Sequence, residues 1–486
     1  MKILYIDIDS CRPDHLGCYG YHRDTSPNID AIAREGVRFN KYYTSDAPCL
    51  PSRTALYTGM FGIHSGVVGH GGTAADPRLE GAGRGFRNKY ENNALPRLLQ
   101  ERGFYTAQVS PFGQRHSAHH FYAGFHEMHN TGKGGNESAE EVQPVVLGWL
   151  ERNAAGRDNW YLHVNYWDPH TPFRVPMEFG NPFADDPLPE WLTDEVLEGH
   201  QQSVGPHSAN EISGMYSDKP WGNWPREVNA VRSREDLKRH IDGYDTGIRY
   251  VDTMIGEIVE KLKAAGIYDE VTIIISADHG ENQGELGIYS EHGTADEITC
   301  RVPLIIKGPG VRKGTDEGLH YNIDLAPTLA EWTDTEPKPT WDGRSFLASV
   351  QSEQDTGRDF LVISQCAHVC QRSVRFGPWL YMRTYHDGFH LFPKEMLFNI
   401  ERDPHEQHNL AEEMPEICNE ALRHLSDWHD EMMMTMPYDN DPLWTVMREG
   451  GPQHAKMSSL PGYFDHLKKT GRGWAIKAIK ERHGEP

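Results

Sequence analysis

"KILYIDIDS" (residues 2–10) carries apolar side chains at 3–6 and 8, then stops on Asp9 and Ser10. A short, nearly continuous apolar run of this kind reads as a strand buried on both faces, as in a parallel sheet covered by helices. "TIIISADHG" (residues 272–280) repeats the pattern and stops on Asp278 and His279. Carboxylates just past the C-terminal ends of two strands lie where open α/β sheets bind ligands. Asp7 points the same way along its strand as Asp9, which makes it a supporting residue or the partner of a buried donor.

In all, strands are expected at Ile3–Ile8, Tyr105–Val109, Trp160–Tyr166, Val271–Ala277 and Pro303–Lys307. Between them, "NALPRLLQERG" (93–103) and "YVDTMIGEIVEKLKAAG" (250–266) show helical spacing and end in glycine, a C-terminal stop. The alternation predicts an α/β fold with a mostly parallel central sheet flanked by helices. Residues 180–227, rich in Pro, Gly, Asp and Trp without a clear period, read as an insertion over one face of the sheet, the kind that shapes substrate pockets. From residue 358 the character changes. "FLVISQC", "HVCQRSVRFG", "WLYMRTYHD" and "EMLFNIER" alternate in part and predict a small antiparallel sheet. The division expected is therefore a catalytic α/β domain over 1–357, an antiparallel-sheet subdomain over 358–436, and a tail over 437–486. That tail reads as irregular, packing on the domain or on a neighbouring subunit in a homo-oligomer.

With 48 Lys plus Arg against 71 Asp plus Glu among 486 residues, the formal charge of −23 argues against a nucleic-acid or anionic-membrane partner. Any anionic substrate must meet a local positive site. Seven scattered cysteines show no zinc-ribbon or thioredoxin-like pairing and read as mostly reduced thiols. No run of about 18 apolar residues occurs, so no membrane span is expected. The first strand begins at residue 2 and leaves no room for a signal peptide, which makes the cytoplasm the expected compartment unless an export signal has been removed.

"DAPCLPSRTALYTG" (residues 46–59) places a cysteine at the mouth of a predicted helix. Pro51 fits a first turn, where its missing N–H costs nothing. Cys49 then sits where free N–H groups and the macrodipole favour an anion, and Arg53, one turn on, can hold an oxyanion by a bidentate hydrogen bond. The plainer alternative is an unreactive buried thiol. Asp9, Asp278 and His279 together shift the balance towards a divalent cation. Carboxylates favour Ca²⁺, while the imidazole leaves Mg²⁺, Mn²⁺ or Zn²⁺ open. Taken singly, each aspartate could cap a turn.

"CLPSR" followed by "TALYTG" resembles the C-x-P-S-R signature of the sulfatase family, in which a maturation enzyme oxidises the cysteine to formylglycine. "DIDSCRPDHLGCYGY", "YWDPHTPF", "YDTGIRYVD" before "ISADHGE", "CRVPLIIKGPG" and "LFNIERDPHEQHNLA" resemble further family blocks in the same order. The likeness runs from residue 3 to about 412 and implies the alkaline-phosphatase-like fold with a smaller C-terminal subdomain. It implies Cys49 as the formylglycine precursor and Arg53 as its stabilising neighbour. Asp9, Ser10, Asp278 and His279, with the modified side chain of Cys49, are the implied metal ligands, and His170 faces the sulfate and its leaving-group oxygen. The resemblance implies that one hydroxyl of the hydrated aldehyde attacks sulfur, that His170 or His292 protonates the departing alkoxide, and that a nearby base deprotonates the second hydroxyl so that sulfate is expelled.

Three positions depart from the family pattern. Ser10 stands where many members carry a second aspartate. His292 replaces a lysine, which makes the local charge depend on pH. The "GKWH" block expected after "GFYTA" is absent; ungapped alignment lands on Pro111 and Gly113, and His116 in "GQRHSAHH" is the candidate for the missing histidine. The expected function is hydrolysis of a sulfate ester, first on a sulfated carbohydrate, second on a small aryl or alkyl sulfate. A phosphonate or phosphate ester hydrolase of the same superfamily is the alternative, and a non-catalytic glycan-binding protein is the rival from another class.

Overall fold

The computed structural model describes residues 1–75, 77, 93–214, 216–219, 222–436 and 440–484. Positions 215, 220 and 221 of the expected insertion, and 437–439 and 485–486 of the tail, lie outside the described residues. The strands that organise the fold are β1 (Lys2–Ile8), β2 (Val37–Phe39), β3 (Asp46–Ala47), β4 (Tyr105–Val109), β5 (Glu127–His129), β6 (Trp160–Tyr166), β7 (Val271–Ser276), β8 (Leu304–Lys307) and β9 (Gly314–Asp316). They continue with β10 (Phe360–Gln365), β11 (Cys370–Phe376), β12 (Trp379–His386) and β13 (Glu395–Asn399).

The central sheet runs β9-β2-β8-β7-β1-β6-β4-β5. Only β8 is antiparallel to its neighbours, so the mostly parallel sheet expected from the buried apolar runs is present. Helices cover it, among them α1 (Pro27–Glu35), α2 (Cys49–Thr58), α3 (Leu95–Glu101), α4 (Ala139–Asn153) and α5 (Arg234–Ala264). The capping box in which Ser138 and Glu141 satisfy each other's backbone starts α4. The residues of β1, β6, β7 and β8, with Trp149, Ile248, Val251 and Ile255 from the covering helices, form one continuous core. Such a doubly covered sheet leaves only its strand ends for chemistry.

The second sheet runs β13-β12-β11-β10-β3 and is antiparallel through its last four strands in the chain. Its fifth member, β3, pairs in parallel with β10 through Ser364↔Asp46 and Gln365↔Ala47. The C-terminal sheet therefore grips the chain two residues before Cys49.

The tail differs from the irregular segment expected from the sequence. It forms α7 (Pro442–Arg448), α8 (Leu460–Lys469) and α9 (Ala475–His483), after α6 (Pro415–Thr435) closes the second sheet. Each tail helix is too short to show more than two or three turns of apolar period, which is why the pattern escaped reading. They pack on the same chain: Leu460, Tyr463, Phe464 and Leu467 cluster with Val204 of the insertion and Phe389 of the loop between β12 and β13. Arg472, fully buried, donates to Glu211 of the insertion at 2.6 and 3.0 Å and to Ser208 at 3.0 Å. Exchanging Arg472 for methionine strands Glu211 in a dry site, and a loss of about 3–5 kcal/mol is expected from chemical denaturation.

Candidate active site

The register of three adjacent parallel strands builds the site. β1 and β7 pair with Asp7 opposite Ser276, so two residues further on Asp9 comes beside Asp278. On the other side β1 pairs with β6, Ile8 opposite Tyr166, and His170 follows that strand end. Parallel pairing thus delivers Asp9 and Ser10, Asp278 and His279, and His170 to one edge, the carboxyl-end crevice where such sheets bind ligands. The backbone N–H of Asp9 donates to Tyr166 at 2.9 Å and locks the edge together.

Helix α2 opens onto this edge with Cys49 as its first residue. Gly59, at φ 62°, closes its C-terminus with a left-handed cap; a β-carbon there meets the Trp341 ring at 2.8 Å, so the helix stops where the sequence "YTG" places a glycine. Ser52, in its first turn, donates to the Asp278 carbonyl at 2.6 Å and seats the helix against β7.

Arg53 does more than expected from its place one turn behind the cysteine. It is buried, its Nη2 donates to Asp9 at 2.8 Å, its Nε donates to Asp278 at 3.1 Å, and its Nη1 pairs with Asp7. Its guanidinium also lies over the Phe112 ring at 4.6 Å. One guanidinium therefore offsets three buried carboxylates, an incomplete balance in a dry site. Asp9 shows the deficit: burial and then the neighbouring Asp278 raise its carboxyl well above the usual range, against the pull of Arg53. Asp7 is the partner residue foreseen, held by Arg53 and by His163 Nε2 at 3.3 Å.

One oxygen of each of Asp9 and Asp278, with a nitrogen of His279, converge to within 4.8 Å of one another. His279 Nδ1 hydrogen-bonds the Gly280 carbonyl at 2.8 Å, while its buried Nε2 lacks a hydrogen-bonding partner among the described residues. An orphaned imidazole nitrogen facing two carboxylates, with positive charge in deficit, fits a divalent cation. Ser10, in a left-handed turn at φ 61°, donates its hydroxyl to Asp9 at 3.3 Å and its backbone N–H to Asp278 at 3.3 Å. Its side chain lies on the carboxylate of Asp9.

His170 comes within 4.0 Å of Asp9 through Nε2, and burial, with Arg174 and Arg115 nearby, holds its imidazole well below the ordinary range. His292 stacks on His279 at 3.9 Å and approaches Glu291 at 3.1 Å. Burial and then the His279 and His170 rings hold its imidazole well below the ordinary range. His116 is pulled down to about 3 by burial and Arg115; its ring lies 5.3 Å from that of His70.

The residue that touches Cys49 was not foreseen. His70 Nε2 lies 3.5 Å from Cys49 Sγ, and His70 Nδ1 lies 3.2 Å from His454 Nε2 of the tail. His368, in the loop between β10 and β11, stacks on His454 at 4.2 Å and reaches Glu291 at 3.4 Å. Only the "GHGG" at 69–72, a histidine flanked by permissive glycines, hinted at this wall in the sequence. Burial, followed by Asp9 and Asp278, drives the Cys49 thiol well above its usual range. The unmodified side chain is therefore a poor nucleophile, since only the thiolate attacks.

Comparison with known proteins identifies the family. A family model described as Sulfatase matches residues 2–335. The choline-sulfatase of Rhizobium meliloti (strain 1021) is 26% identical over 436 residues, covering 80% of this chain and 78% of its own length. The solved structure of BT4656 in complex with its substrate D-glucosamine-2-N,6-O-disulfate superposes with a TM-score of 0.69 at 18% identity, over 90% of this chain and 99% of that one. The phosphonate monoester hydrolase of Agrobacterium radiobacter superposes with a TM-score of 0.69 at 20% identity, over 89% of this chain and 96% of its own. Strand ends that gather Asp9, Asp278 and His279 around a helix-opening Cys49, on a fold matched over more than two thirds of the chain, place this protein in the sulfatase family of sulfuric ester hydrolases.

Proposed function

We propose that the enzyme hydrolyses a sulfate ester on a carbohydrate, using formylglycine made from Cys49 by a maturation enzyme and a bound Ca²⁺. The observation that carries this reading is the buried Cys49 side chain at the mouth of α2, set beside three carboxylates that share one guanidinium and a His279 nitrogen without a hydrogen-bonding partner among the described residues. Asp9, Asp278 and His279 would hold the cation, with the side chain at position 49 completing the set. When present, the two groups supply an oxygen nucleophile at neutral pH and a Lewis acid for the sulfuryl oxygens.

The chain's own residues do the rest. Arg53 keeps Asp7, Asp9 and Asp278 in place and stands one turn from position 49, ready to share a developing negative charge. His170, with Nε2 aimed at the edge of β1, is placed to hand a proton to the leaving alkoxide, and His292 stands 5.3 Å from it as the second candidate. Near-complete burial of Cys49, Arg53 and His279 excludes bulk water from the reacting atoms.

The carbohydrate is supported by the polar wall of His70, His454 and His368 beside position 49 and by the sugar disulfate named for BT4656. A panel of defined sulfated saccharides, run beside choline sulfate, an aryl sulfate and an aryl phosphonate, tests the substrate. Turnover of a saccharide above the other three is expected; preference for the phosphonate would move the enzyme to the alternative reading, which shares the fold. A cytoplasmic location is proposed on the same footing, and cell fractionation checks it. Elemental analysis decides the cation among Ca²⁺, Mg²⁺, Mn²⁺ and Zn²⁺.

A further inference from the structure

The family block that should follow "GFYTA" is missing, and His116, the nearest substitute in sequence, makes its closest described ring contacts with Phe112 and His70, at 4.4 and 5.3 Å. The imidazole that meets position 49 is His70, at 3.5 Å from Sγ. It comes from the loop that follows α2, and what backs it comes from the opposite end of the chain: His454 Nε2 faces His70 Nδ1 at 3.2 Å.

His454 is itself fixed from three sides. Its backbone N–H donates to Ala367 at 3.0 Å, its carbonyl accepts from Tyr216 at 2.7 Å, and its ring stacks on His368. Helices α7 and α8, on either side of this loop, are buried against the second sheet and the insertion. A side chain held this way presents one nitrogen in a constant direction. If His70 donates its Nδ1 proton to His454, its Nε2 lone pair is turned to position 49 and can accept a proton there.

We propose that His70 is the proton acceptor at position 49, in place of the absent block, and that His454 of the C-terminal tail is the positioning residue that fixes its tautomer. This rests on the formylglycine reading above. After transfer, one carbon at position 49 bears a hydroxyl and a sulfate ester. The hydroxyl proton passes to His70 Nε2, and the O–H bonding pair forms the C=O bond. The C–O bond to sulfate breaks, and its pair leaves on the sulfate oxygen. Water then adds across the carbonyl and the proton is lost to solvent, so ester and water give alcohol, sulfate and a proton. Being carried by the tail, His454 makes release of sulfate depend on a segment that no family block covers.

The experiment mixes fully converted enzyme with an aryl sulfate, quenches in acid and maps the peptide holding position 49 by mass. His70→Asn is expected to lower kcat by about 100-fold or more and to accumulate that peptide heavier by one SO₃, while the wild type shows none. His454→Ala is expected to lower kcat about tenfold with KM unchanged and a smaller population of the same adduct; His454→Gln, which keeps a hydrogen-bonding group, restores most of the rate. Should His70→Asn melt well below the wild type, His70→Gln carries the same expectation. Turnover by both His70 variants within a few-fold of wild type, or slow turnover with no sulfated peptide, overturns the proposal. Aldehyde labelling on the same preparations separates the two readings. No aldehyde in active wild type defeats the formylglycine reading; an aldehyde with unaffected His70 variants defeats this inference alone.

Discussion

Cys49→Ala should abolish turnover, by about 10⁴-fold or more, because the nucleophile is lost while the charge around it stays. The same protein should fold as before. Cys49 is a small buried side chain at the first position of α2, its Sγ has one hydrogen-bonding contact among the described residues, and alanine continues a helix well. The expected change in stability is within about 1 kcal/mol. Peptide mapping of active wild-type protein should find an aldehyde or its hydrate at position 49. Full activity in Cys49→Ala, or an untouched thiol in fully active enzyme, contradicts the proposed chemistry, whatever the family.

Asp9→Asn and Asp278→Asn should each lose bound cation and activity together, with cation affinity falling by more than about tenfold. The stability of the cation-free protein should move the other way for Asp9. Burial and Asp278 already disfavour its charge, so the neutral amide removes a repulsion that Arg53 only partly offsets. The melting temperature of cation-free Asp9→Asn is expected to equal or exceed that of wild type, while added Ca²⁺ should raise the wild-type value alone. Unchanged metal stoichiometry in both variants would place the cation elsewhere. The pair of measurements separates a ligand from a merely structural carboxylate, whose removal lowers both melting temperatures.

Much of this site was legible in the sequence because its parts sit at strand ends. An apolar run that stops on a carboxylate declares both the strand and the polar edge, and two such runs, at Asp9 and Asp278, declare a shared edge once the sheet is parallel. The same logic carried His279, whereas His170 came only from the family resemblance of "YWDPHTPF", and the register of the third strand is what brings it to this edge. Helix α2 was legible too, from the proline in its first turn. The role of Arg53 was legible only in part. Its proximity to Cys49 follows from helical spacing, but its ion pairs to Asp7, Asp9 and Asp278 depend on how α2 lies across the sheet.

Local pattern fixed what repeats along the chain: the buried strands, the covering helices, the stops on acidic residues, the antiparallel run after residue 358 and the cysteine's place at a helix mouth. Tertiary structure alone decided what meets across long separations. It tied the second sheet to β3 beside Cys49, wound the tail into short helices on the insertion, and set His70, His368 and His454 together from segments up to 384 residues apart. Periodicity reports which face of an element is buried; it carries no information on which distant segment buries it. A neutral imidazole wall built from isolated histidines in loops leaves no period to read, and only the packed chain shows that it stands against the nucleophile.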